Sequence, residues 1–248
     1  MKEARKSKVG FVLIPGGGMS DWLWKKLEGY LNFPFIQIDR RLKNNTHQNR
    51  LNASFSDCLD YIGEKIQERN FERIILVGHS GAGVLAAKAA VSFQENVVHV
   101  VYVAANIPKT GTTVIDALPE SVQEKNIAAI KQQAPLDKIP LKMLEGVFRS
   151  AFCNTCSEED IDYLLQQDFL PEPLCAVTEK MTWDNFPDLS QTYIILTDDH
   201  TLPVEKQKEM AANLNINDLR MIDSDHLVMI SHPRELAAIL NEIAGNYQ

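Results

Sequence analysis

Six short, nearly unbroken apolar runs decide most of what this chain can become. They are Val9–Ile14, Phe35–Ile38, Arg73–Val77, Val97–Val103, Thr192–Thr197 and Leu219–Ile222. A strand with one wet face alternates apolar and polar residues, whereas a strand covered on both faces does not. The runs therefore predict a mostly parallel sheet of about six strands with helices on both faces. Helix candidates lie between them, at Asp21–Leu31, Ser54–Arg69, Ser80–Phe93, Val204–Asn213 and Pro233–Gly245. In Ser54–Arg69, Phe55, Leu59, Ile62 and Ile66 fall on one stripe, as a covering helix requires. Such alternation builds βαβ units and a doubly wound α/β fold.

The alternation breaks once. From Ile107 to Phe186 no strand is evident, and helices are expected near Glu120–Gln133, Leu141–Ser150 and Ser157–Gln167, punctuated by Pro135, Pro140, Pro171 and Pro173. Such a stretch is too long for a plain loop and calls for a role such as a lid. The expected organisation is one domain, with a core of 1–106 and 187–248 and a helical cap inserted at 107–186.

With 248 residues, 45% of them hydrophobic, the chain can fill a large core. Its formal net charge of −8 repels phosphate backbones and argues against nucleic acid as a partner. Lys2, Arg5, Lys6 and Lys8 resemble the start of a signal peptide, but the apolar run after them is short and meets Pro15 and three glycines. No stretch reaches the roughly 18 apolar residues of a membrane span. A soluble cytoplasmic protein is expected. Cys58, Cys153, Cys156 and Cys175 do not suggest a disulfide framework. Cys153 and Cys156 have zinc-ligand spacing, but no second Cys or His pair follows nearby, so packed or free thiols and no metal are expected.

The sharpest chemical signal is Gly78-His79-Ser80-Gly81-Ala82-Gly83, set between a buried strand and an Ala-rich helix. This is the pattern of a nucleophile elbow, with Ala82 where glycine is commoner. A serine on so tight a turn needs small neighbours two residues away, and Gly78 and Ala82 provide them. The turn aims the Gly81 N–H at an incoming oxyanion. A serine nucleophile needs a base, and the base an orienting acid, in the order Ser, Asp/Glu, His beyond later strands. Asp199 and His226 meet that order, each just past a strand. Asp199, four residues before Pro203, is preferred to Asp198. His226 is preferred to His232, which sits at a helix start beside Pro233. His200 reads as a solvated loop residue, His79 as packing beneath the elbow, and His47 and His99 as ordinary surface or strand residues. Asn106, past the fourth strand, is not acidic.

The first strand ends in Pro15-Gly16-Gly17-Gly18. Glycines there let backbone approach a ligand. Gly17 N–H is the expected second oxyanion donor, with Gly18 as the alternative. Gly16 and Gly18 also begin a dinucleotide fingerprint, but Asp21 stands where its third glycine belongs.

With these residues in place, the chain resembles the α/β-hydrolase superfamily over essentially its whole length. It is most similar to the small esterases grouped with plant methylesterases and hydroxynitrile lyases. The shared features are the glycine loop before Trp22-Leu23-Trp24, the Ser80 elbow, Asp199 before Pro203, and the tail from Asp225-His226-Leu227 to His232-Pro233. The resemblance implies an α/β-hydrolase fold, an acyl-enzyme mechanism and no cofactor. Two departures stand out. Pro15 replaces a His that is generally structural in the family. Leu227 replaces the Lys that follows the catalytic His in the lyases, which removes their positive charge and favours hydrolysis. The resemblance also makes the insertion a cap, with Met19, Phe148, Phe152, Phe169, Leu170 and Trp183 as candidate pocket walls. No charged residue stands out as demanding a charged substrate, so the expected partner is a small or medium, mostly apolar carboxylic ester. The competing readings are a thioesterase, acyl-transfer or lactone-hydrolase activity in a biosynthetic pathway, and a non-catalytic ligand-binding protein on the same fold.

Overall fold

All six apolar runs become strands of one sheet. In the computed structural model, strands β1 (Val9–Ile14), β2 (Phe35–Gln37), β3 (Arg73–His79) and β4 (Val97–Val103) precede the insertion. It carries β5 (Ile139–Pro140) and β6 (Asp168–Phe169), and β7 (Ser190–Leu196) and β8 (Asp218–Ile222) follow it. The structure describes residues 9–39, 42–69, 71–117, 120–133 and 135–248, apart from the side chains of 120–122, 125, 126 and 133. Lys2, Arg5, Lys6 and Lys8 lie outside these residues.

The main sheet has the order β2-β1-β3-β4-β7-β8 and is parallel throughout. Val12 pairs with both Ile36 and Leu76, and Val101 with both Val77 and Thr192. Period-two alternation then sorts the continuous apolar runs onto two faces. Val12, Leu76, Val100 and Tyr193 face one way, against the helices Phe55–Arg69, Gly83–Ser92 and Val204–Ala212. Leu13, Val77, Val101 and Ile194 face the other, against Leu23, Trp24 and Leu27 and the helix Pro233–Gly245. Each such buried side chain contributes about 1.5–3 kcal/mol of transfer energy, which is why the middle residues of these strands are mostly apolar.

Three local expectations are corrected. Asp21–Leu31 is not an α-helix but two 3-10 turns, Asp21–Trp24 and Glu28–Tyr30. Their tighter winding stacks residues three apart, and it directs Trp24 and Leu27 together into the core, both fully buried. Leu141–Ser150 splits into a 3-10 turn, one α turn and a π turn at Phe148–Phe152. The insertion, expected to hold no strand, has β5 and β6 paired antiparallel. Two residues per strand are too few to leave a periodic signal. The helix Glu158–Leu164 starts near its expected place, with a capping box between Ser157 and Asp160. Among the described residues no helix is long and apolar enough to cross a membrane.

Strand order also locates a crevice. The chain leaves β1 toward β2, then returns to the other side of β1 as β3. At such a switch point the loops beyond adjacent strands diverge and leave room for a ligand. The loop after β1 is the glycine run, and the residue after β3 is Ser80.

His99 on β4 is buried and hydrogen-bonded on both ring nitrogens. Nε2–H donates to Thr192 Oγ1 at 2.9 Å, because that hydroxyl itself donates to Asp218, and Nδ1 accepts from the Tyr247 hydroxyl at 3.0 Å. Burial lowers its pKa from 6.5 to about 4, against an opposing pull from Asp218. The unfolded chain therefore takes up a proton near pH 6.5 that the folded chain refuses. Stability is full above that pH and falls by up to about 3 kcal/mol as pH drops toward 4. Urea midpoints measured across this window should show the decline, and His99→Gln should flatten it. An equally steep decline in His99→Gln would assign the effect to other groups.

Candidate active site

The turn after β3 forces Ser80 to φ +50°, in the left-handed region that side chains avoid. Its small neighbours have a steric cause. A Cβ on Gly78 would lie 2.7 Å from the Ala86 Cβ and 3.0 Å from the Ala82 carbonyl oxygen. The strained turn is tied down from the loop after β4, where Asn106 N–H donates to Ser80 O at 2.9 Å.

Three expected residues meet there. His226 Nε2 lies 2.9 Å from Ser80 Oγ, and His226 Nδ1 lies 2.6 Å from Asp199 Oδ2. The other Asp199 oxygen accepts N–H bonds from Thr201 and Leu202, at 2.7 and 2.8 Å. A carboxylate so placed accepts from Nδ1–H and leaves Nε2 free to take the serine proton. His226 and Asp199 are both buried, and the Phe152 ring meets His226 edge-on at 5.4 Å.

The alternatives go elsewhere. Asp198 faces Asn154 Nδ2 at 3.0 Å and the exposed His200 ring at 3.5 Å. His232 meets Ser231 Oγ at 3.0 Å, and His47 begins an exposed helical turn. His79 lies under the elbow as expected, its ring 4.8 Å from that of His226 and its Nε2–H donating to His226 O at 2.9 Å.

Asp225, which the sequence did not single out, holds the same loop. One of its oxygens accepts from Leu227 N–H and the Ser231 hydroxyl. The other accepts from the Thr155 N–H and hydroxyl. Its signal was weak, since a lone Asp beside a His on a loop reads as solvated; only tertiary packing buries it completely.

The glycine loop closes the other side. Gly16 comes so near that a Cβ on it would stand 3.1 Å from the Ser80 Cβ and 2.7 Å from His79 Nδ1. Gly18 has φ +72°, and a Cβ there would overlap the Phe169 ring. Gly17 N–H has no acceptor among the described residues. Gly18 N–H instead donates to the carboxylate of Glu172, and Leu170 N–H donates to Gly18 O at 2.7 Å. Gly81 follows Ser80 in the turn that leads into the helix.

Glu172, which the sequence did not single out, stands against the glycine loop. Its carboxylate lies 3.8 Å from where a Gly17 Cβ would be. The sequence hid it because residues of an inserted segment give no indication of which loop they cover. Of the expected pocket walls, Met19 packs beside the loop and Phe148 stacks on Phe152 at 4.9 Å, while Phe169 and Leu170 sit on Gly18. Trp183 does not join them. Its Nε1–H is anchored to Pro108 O at 2.7 Å, and its ring lines a cavity at the opposite end of β7 and β8, beside Gln191 and Asp218. A different cavity, of about 340 Å3, lies beside Asn106, Thr201 and Leu202 and is walled by Val114, Ile115 and Val177.

Comparison with known proteins shows the family. Residues 11–239 match the model of the alpha/beta hydrolase family. Methylesterase 7 of Arabidopsis thaliana is 26% identical over 98% of this chain and 99% of that protein. Putative methylesterase 19 of the same plant is 31% identical over 71% of this chain and 72% of that protein. Among solved structures, an extracellular alpha/beta-hydrolase from a Paenibacillus species superposes with a TM-score of 0.77 at 20% identity, covering 95% of this chain and 99% of its own. Polyneuridine aldehyde esterase superposes with a TM-score of 0.72 at 22% identity and the same coverage. The chain belongs to the alpha/beta hydrolase family, as an esterase-like member related to the plant methylesterases.

Proposed function

We propose that this protein is a serine esterase that hydrolyses a small or medium, mostly apolar carboxylic ester through an acyl-enzyme on Ser80. The observation that carries this reading is the unbroken chain from Asp199 through His226 to Ser80 Oγ. The names of the methylesterase relatives favour a methyl ester, whose small alcohol suits the crowded glycine loop.

His226 takes the Ser80 proton as Oγ attacks the ester carbonyl carbon. Asp199, fixed by two backbone N–H bonds, stabilises the imidazolium that forms. The Gly17 and Gly81 N–H groups hold the tetrahedral oxyanion, each contributing on the order of 3 kcal/mol to the barrier. His226 returns the proton to the leaving alcohol, and water repeats the sequence on the acyl-enzyme. Leu227, fully buried beside His226, brings no cation to a cyanide leaving group, which favours hydrolysis. The insertion 107–186 serves as the cap on the core 1–106 and 187–248, because Phe152, Phe169, Leu170 and Glu172 reach the site from it. The 340 Å3 cavity suits the acyl chain, since its walls are largely aliphatic.

Ser80→Ala, His226→Ala and Asp199→Asn should each lower turnover of short p-nitrophenyl esters by roughly a thousandfold or more, with circular dichroism unchanged. Asp198→Asn should stay within about twofold of the parent; a loss as large as that of Asp199→Asn would move the acid to Asp198. Faster turnover of matched thioesters or lactones than of esters would assign the site to those substrates.

Glu172 places negative charge beside the oxyanion loop, where it opposes both the oxyanion and any substrate bearing a second carboxylate. Glu172→Gln should raise kcat/KM for monoanionic esters about tenfold relative to neutral ones, a change of about 1.4 kcal/mol. An unchanged ratio would show that the carboxylate does not face substrate.

A further inference from the structure

Cys153 and Cys156 take no part in the esterase reading, yet the fold gives them a third companion. Both sulfur atoms and a carboxylate oxygen of Asp225 lie within 4.8 Å of one another. A turn closed by Cys156 N–H to Cys153 O at 3.3 Å joins the two cysteines. Cys153 is buried and Cys156 half-buried, so the cluster has an access side.

Among the described residues Asp225 has no cationic partner. Asp225 is fully buried, and its four hydrogen bonds all come from neutral donors, namely Thr155 N–H and hydroxyl, Leu227 N–H and Ser231 hydroxyl. The hydrogen bond with Cys153, burial and the charge of Asp225 together push the Cys156 thiol pKa up.

We propose that Cys153, Cys156 and Asp225 form a binding site for a thiophilic divalent cation of the Zn2+ and Cd2+ class. Two thiolates and one carboxylate suit soft or borderline ions and exclude Mg2+ and Ca2+, which require oxygen cages. Around a tetrahedral ion with metal–sulfur bonds of about 2.3 Å, ligand atoms stand roughly 3.8 Å apart. Reaching that spacing from the present one takes side-chain rotation and no change of fold. On binding, each thiol loses its proton to solvent and forms one metal–sulfur bond. An Asp225 oxygen exchanges the Thr155 hydroxyl hydrogen bond for the ion, and water fills the fourth position from the Cys156 side. Two protons leave per ion and no electron moves. The site uses no atom of the Ser80, His226 and Asp199 chain, so it stands or falls apart from the esterase reading.

The test titrates the reduced, metal-stripped full-length protein with Cd2+, following the ultraviolet thiolate-to-cadmium band, proton release and equilibrium dialysis. One ion per chain should bind at micromolar concentration, with the band and about two protons released. Cys156→Ser, a change at a half-buried position, should lose the band and weaken uptake at least about tenfold. Asp225→Asn should keep the band but bind roughly 10–100-fold more weakly. Cys58→Ala and Cys175→Ala should bind as the parent does. Absence of uptake by the reduced parent would overturn the proposal, as would a band that survives Cys156→Ser. A disulfide between Cys153 and Cys156 in air-exposed protein, with no ion bound after reduction, would overturn it in favour of a redox pair.

Discussion

Ser80 is held at φ +50°, a backbone state that costs an ordinary residue on the order of 1–3 kcal/mol. The surrounding structure is arranged so that this state persists. Gly78 and Ala82 leave room for the turn, Asn106 N–H fastens its carbonyl, and the buried β3 behind it cannot shift without breaking the register with β1 and β4. The turn thus sets the hydroxyl at hydrogen-bonding distance from His226. Preorganisation of this kind lets the strain of folding lower a later barrier.

The second layer of support comes from the insertion. The segment around Phe152 grips the loops that carry Asp199 and His226. Leu227 N–H donates to Phe152 O at 3.2 Å, Thr155 holds Asp225, and the Thr201 hydroxyl donates to Ala151 O at 2.7 Å. The stretch from Asp168 to Glu172 grips the glycine loop, through the Trp22 indole to Asp168 O and through Leu170 and Glu172 to Gly18. The inserted residues thus hold the loops that carry the candidate acid, base and oxyanion donors. Changes there should act on turnover even where no contact with substrate exists.

Much of this was legible in the chain because it rests on local rules. Strands buried on both faces leave continuous apolar runs, an elbow leaves small residues around a serine, and Asp199 and His226 each follow a strand end. The residues that stayed hidden act through contacts far apart in sequence. Glu172 meets Gly18 from 154 positions away, and Thr155 meets Asp225 from 70. No periodicity encodes such pairings. Trp183 was misplaced for the same reason, since an aromatic in an inserted segment fits equally well over the site or, as here, against Pro108. The 3-10 turns Asp21–Trp24 and Glu28–Tyr30 carry the same sequence pattern as an α-helix, because both windings bring every third or fourth apolar residue to one face.

Covalent labelling tests most directly whether Ser80 is an activated nucleophile. The purified protein is treated with a fluorophosphonate and the adduct mapped by peptide mass spectrometry. One adduct per chain on Ser80, abolished by Ser80→Ala and strongly slowed by His226→Ala, is the predicted result. No adduct on folded protein, or an adduct on any other residue, would contradict that role for Ser80.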